Sequence, residues 1–104
     1  MSKVKSANPQ PVIVKREMTI THADFFRLLP ILLKHREFKI TGKSVLIILD
    51  SGKLEIALSP EVVKNVGALM LPVTQITFSF ANIPDADRGK FFRHFDRVYQ
   101  KGGG

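Results

Sequence analysis

The stretch "TQITFSF", residues 74–80, alternates strictly: Ile76, Phe78 and Phe80 fall on one side of an extended chain, Gln75, Thr77 and Ser79 on the other. A strand of this kind has one aromatic face that must be removed from water, so the rest of the chain has to supply a cover. The spacing predicts that cover as a helix from about Asp85 to Gln100. At about 100° per residue, Phe91, Phe92, Phe95, Val98 and Tyr99 form one apolar arc, and Lys90, Arg93, His94, Arg97 and Lys101 form another almost opposite. Asp85 and Asp87 suit the positive end of the helix dipole, Arg97 and Lys101 the negative end. Arg88 is the misfit, on the apolar side near the helix start.

A second helix is expected at "THADFFRLLPILLKHREF". Thr21 caps it, Asp24 stands at the capping-box position, and Phe25, Phe26, Leu28, Leu29, Leu32 and Leu33 share a face. Pro30 predicts a kink, because the apolar stripe keeps its phase across it. "LPILL" at 29–33 matches the LxxLL docking pattern, but leucine-rich core helices produce the same match. Strands are expected at 38–40, 44–49 and 53–58, joined by turns at Thr41-Gly42-Lys43 and Asp50-Ser51-Gly52. The 44–49 strand is apolar on both sides, which predicts a central position covered on both faces. "SPEVVKNVG" reads as a short helix with Ser59 as cap, Pro60 in its first turn and Gly67 as stop; Pro72 suggests that pairing of the following strand begins after it.

The expected fold class is α+β: a four-stranded, mainly antiparallel sheet with two amphipathic helices on one face, in the order α-β-β-β-(short α)-β-α. Residues 1–17, with Pro9, Pro11 and scattered lysines, read as a disordered N-terminal tail, although "VIV" at 12–14 has the composition of an edge strand. One domain is expected over 18–101, followed by a flexible glycine tail at 102–104. The second sheet face, with Leu46 and Ile48, is where a homodimer is expected to form.

Chemistry is harder to find. There is no cysteine, which rules out disulfides, thiolate zinc sites and thiol catalysis. His22, His35 and His94 lie apart, without metal-ligand spacing, and no GxSxG, glycine-rich phosphate loop or flanking carboxylate pair occurs. "TGKS" at 41–44 resembles the end of a Walker motif, yet lacks the upstream glycine and sits in a hairpin turn. No enzymatic role, cofactor or metal is therefore expected. No apolar run approaches the ~20 residues that cross a bilayer, no secretory signal is evident, and the expected location is the cytoplasm.

The net charge of +7 favours anionic partners. The stripe of Lys90, Arg93, His94, Arg97 and Lys101 is the candidate binding surface, with an acidic protein as the expected partner and nucleic acid as the alternative. In its helix–three strands–helix outline the chain resembles double-stranded RNA-binding domains, but it has an additional strand and no lysine-rich helix start. The ending Gly103-Gly104 is similar to that of ubiquitin-like modifiers and sulfur carriers, a resemblance that would imply C-terminal activation. Those proteins reach their diglycine from a strand, whereas here a helix runs almost to the end, and a glycine helix stop explains the same residues.

Overall fold

A computed structural model describes residues 10–102. The elements are β1 (Val12–Met18), α1 (His22–Leu33), β2 (Phe38–Thr41), β3 (Ser44–Ile48), β4 (Lys53–Leu58), β5 (Val62–Val66), β6 (Leu69–Ala81) and α2 (Asp85–Gly102). They make an α+β fold: one antiparallel sheet of six strands and two helices. The strand order is β1-β6-β4-β3-β2, and β5 pairs with β6 off this path.

β6 is the spine. Its alternation places Ile76, Phe78 and Phe80 inward, all at most 1% exposed, beside Leu54, Ile56 and Leu58 of β4. The inward face continues through Val45 and Ile47 of β3, which stand opposite Ile56 and Leu54. Phe25, Leu28, Leu29, Leu32 and Leu33 of α1 and Phe95 and Tyr99 of α2 join the same core. Both helices thus lie on one sheet face, as expected. Burial of each such phenylalanine contributes about 2–3 kcal/mol. The rings also lock edge-to-face, with Phe78 at 5.0 Å from Phe92 and 5.2 Å from Phe95.

α1 begins as its capping box dictates: Thr21 Oγ1 accepts from the Asp24 backbone N–H at 3.1 Å. The helix runs through Pro30 to Leu33, and Lys34 N–H closes it on the Pro30 carbonyl at 2.9 Å. All three leucines of "LPILL" are buried, so that segment is core and has no leucine face to offer a groove. His35 lies beyond the helix end, in the turn that follows. Arg88 turns inward to donate to the Ile83 carbonyl at 2.7 Å and to Asp85 at 3.0 Å, which ties the start of α2 to the end of β6.

Several expectations are corrected. The sheet has six strands where four were expected. Residues 12–17 are not part of a tail: β1 pairs with β6 along its whole length, from Val12 opposite Phe80 to Met18 opposite Thr74. Residues 1–9, 103 and 104 lie outside the described residues, and with them most of the expected tail and the terminal diglycine. The segment read as a short helix is β5, joined to β6 by a two-residue turn between Val66 and Leu69. Gly67 has φ +61°, the left-handed conformation that the first central residue of a tight hairpin turn adopts. Pro72 does not delay pairing; it faces Val63, where β5 is the single neighbour of β6, an edge-like setting that tolerates a missing N–H. β3 is covered on one face only: Leu46 and Ile48 are 39% and 42% exposed, beside Lys39, Glu55 and Lys53.

Candidate functional site

α2 carries the expected basic stripe, and its geometry follows from what the opposite arc must do. Phe95 and Tyr99 are buried and Phe91, Phe92 and Val98 are packed partly against the core, so the helix cannot rotate. Tyr99 fixes it further: its ring stacks on Phe95 at 4.4 Å and on Phe25 at 5.2 Å. Its hydroxyl donates to the Phe25 carbonyl at 2.9 Å. Burial pushes the phenol well above the usual tyrosine range, so it stays a neutral donor.

With the aromatic arc held down, Lys90, Arg93 and Arg97 are exposed on the outward side. Among the described residues none forms an ion pair with any of the three. The nearby acid, Asp96, is turned away and engaged by Arg16 of β1. Arg16 also stacks its guanidinium over the Phe92 ring, 4.2 Å from the centroid. Arg93 and Arg97 are four residues apart and Lys90 and Arg93 three, so like charges neighbour one another along the helix. That arrangement costs the folded chain a few tenths of a kcal/mol per pair.

His94 departs from the expected role. It is half-buried, and its Nε2 lies 3.1 Å from the Leu32 carbonyl at the end of α1. It is a strut between the two helices, placed beside the stripe. Lys101 belongs to α2, but its side chain lies outside the described residues. The structure therefore brings together Lys90, Arg93 and Arg97, and gives His94 a structural partner.

Beside Lys90 and His94 a cleft of about 350 Å³ opens between the end of α1, the β3–β4 loop and the start of α2. Leu32, Leu33, Leu49 and Phe91 form its floor, and Arg36, Lys90, Asp50 and Asp87 its rim. Two cations and two acids share the lining, so the cleft carries no single-sign field. Ser51 Oγ donates to Asp87 at 3.4 Å, a contact near the outer limit of a hydrogen bond. His22 is also occupied structurally: its backbone N–H donates to Glu61 at 2.7 Å, and its Nε2 lies 2.7 Å from the Ser59 carbonyl. Among the described residues no three His, Asp or Glu side chains gather as metal ligands. Among the same residues no helix is long and apolar enough to cross a membrane.

Sequence reasoning missed one surface. Val62, Val63, Val66, Leu69 and Met70, on the hairpin of β5 and β6, are 53–72% exposed. The signal was present in the β-branched "VV…V" run, which favours a strand, but the Ser59-Pro60 start and Gly67 stop imitated a helix. Comparison with family models, curated proteins and solved structures gives no match.

Proposed function

We propose that this chain is a non-enzymatic binding module that docks an acidic protein surface through the outward face of α2, with Lys90, Arg93 and Arg97 as the contact residues and His94 and Lys101 flanking them. The observation that supports this most is the row of exposed like charges without ion-pair partners among the described residues, on a helix locked in rotation by its aromatic face. A partner carboxylate row would relieve the repulsion along the helix and accept bidentate contacts from both arginines. The aromatic arc is committed to the core, which removes the bases' stacking platform that single-stranded nucleic acid would use.

The test is charge reversal. The variant R93E/R97E should keep its melting temperature within about 2 °C, because both side chains face solvent. It should lose the acidic proteins that the wild type captures from the source lysate. Capture of the same proteins by wild type and variant would overturn the proposal. A wild-type chain that instead shifts mixed RNA or DNA at low salt, with affinity falling steeply as salt rises, would assign the stripe to nucleic acid.

A further inference from the structure

β1 ends the sheet on one side: it pairs with β6, and among the described residues nothing pairs with its other edge. The register identifies the groups left open there. Gln75 turns both backbone groups toward Ser59, its carbonyl accepting the Ser59 N–H and its N–H donating to Ser59 Oγ, each at 2.9 Å. Glu17 stands opposite Gln75, so its own N–H and C=O point away from β6, and by the antiparallel alternation those of Lys15 and Ile13 do too. Natural edges are often blunted by a bulge or a proline, but Val12–Met18 has neither, and its seven residues keep unbroken register. At the Met18 end a cavity of about 450 Å³ opens between the strand, the Thr19–Ile20 link, and Asp96, Tyr99 and Gln100 of α2. Arg16, Glu17 and Met18 line it in succession although their side chains alternate between faces, so it opens on the edge of the strand.

We propose that this edge receives an extended acidic segment of the partner that α2 docks, added to the sheet as a further strand beside β1; this rests on the α2 reading and names how the partner is held. The open N–H and C=O groups of Ile13, Lys15 and Glu17 set the first requirement, an extended peptide backbone that can both donate and accept along the strand. A nucleic-acid backbone has no N–H groups to offer the carbonyls of this edge. Charge sets the second requirement. Lys15 is exposed at the middle of the edge, and Arg93 is exposed on α2 one turn before Asp96, on the flank that borders the cavity. Among the described residues neither cation has an ion-pair partner. The two acids nearby are engaged within the chain, Asp96 by Arg16 and Glu17 by Lys64. An added strand alternates its side chains, so successive acids fall toward Lys15 on the outer face and toward Arg16 and Arg93 on the helix side. A second copy fits the edge poorly. The twofold register that pairs all three open positions sets Lys15 directly against Lys15, a like-charge cross-strand pair between two chains of +7. An acidic strand meets the same lysine with opposite charge.

The experiment is residue-resolved amide hydrogen exchange of the full chain, with a short synthetic peptide of Glu, Thr and Val as the probe. In the free chain the amides of Ile13, Lys15 and Glu17 should exchange faster than those of Val14 and Arg16. Saturating peptide should slow the first three at least about tenfold and leave the amides of β2, at the opposite end of the sheet, unchanged. The same peptide N-methylated throughout should not bind, and one with Gln in place of Glu should bind at least about tenfold more weakly. Lys15→Pro removes an N–H that β6 does not use, so it should keep its circular dichroism spectrum and lose the peptide. Lys15→Glu keeps the N–H and reverses the charge; it should weaken binding in the same direction, which keeps the test decisive if the proline variant does not fold. Absence of peptide binding, equal binding of the Gln peptide, or binding that both Lys15 variants leave intact would each overturn the proposal. So would open-edge amides that are already slow in the dilute free chain, or that slow with protein concentration alone, since the chain itself or a second copy then fills the edge. Capture of acidic lysate proteins that R93E/R97E loses and Lys15→Pro keeps overturns the edge and leaves the α2 reading standing. Capture that survives R93E/R97E, with the peptide still lost in Lys15→Pro, overturns the α2 face instead.

Discussion

Tyr99 shows how much of this fold hangs on single polar contacts inside an aromatic core. Its hydroxyl reaches the Phe25 carbonyl, so Tyr99→Phe should cost about 1 kcal/mol, read from urea or thermal unfolding. Its raised pKa also gives a sign. The folded state keeps the phenol proton longer than the unfolded state does, so its contribution is intact below the ordinary tyrosine range and is lost as pH rises beyond it. Tyr99→Phe should flatten that alkaline loss; an identical alkaline profile in the variant would contradict this account. Gly52 carries a steric argument. A Cβ there would stand 2.0 Å from the Ala81 carbonyl oxygen and 2.8 Å from that of Asn82, both backbone atoms that cannot swing aside. Gly52→Ala should therefore destabilise the chain by about 2 kcal/mol or more, read as a fall in the unfolding midpoint. The sequence marks Gly52 as a turn residue, but the close approach of Ala81 becomes visible only once β4 pairs with β6.

Elements differ in how openly they announce themselves. α1, α2, β4 and β6 were legible because their apolar period matches their geometry and their caps sit at the right offsets. β1 was hidden by one residue. Val12, Val14 and Met18 alternate inward, but Arg16 occupies the inward position between them, and its place is made acceptable by Asp96 and the Phe92 ring, eighty and seventy-six residues away. β5 was hidden by flanking residues that serve a helix and a hairpin equally well. The arm formed by β5 and β6 is tied to the body through Glu17, whose carboxylate accepts from Lys64 and from Gln75, each at 2.7 Å. The Lys64 hydrogen bond, more than that of Gln75, holds the Glu17 carboxyl below its usual range. The tether is therefore present at neutral pH and released as acidification protonates that carboxylate, below the ordinary glutamate range. Amide hydrogen exchange in β5 should accelerate at low pH before that of the sheet core, and Glu17→Gln should reproduce the effect at neutral pH. Unchanged β5 exchange in that variant would show that the arm is held by other means.

At the scale of the whole molecule, one sheet face is committed to the core, and two of the surfaces left open among the described residues differ in character. The outward face of α2 is basic, and the arm is neutral and apolar. The first was legible in the sequence as a stripe, apart from the structural tie of His94 to Leu32; the second required the strand pairing to be seen. A charge contact at the α2 face should weaken as salt rises, whereas apolar association at the arm should not, which separates the two. The claim that α2 docks an acidic partner is tested most directly by photo-crosslinking in the source cells. A photoreactive residue replaces Gln100, exposed one turn beyond Arg97, or Lys53 on the outer sheet face as control. The account predicts crosslinks from position 100 to protein segments rich in Asp and Glu, lost on adding R93E/R97E, and few from position 53. Equal crosslinking from both positions, or crosslinks from position 100 that survive the charge reversal, would contradict it.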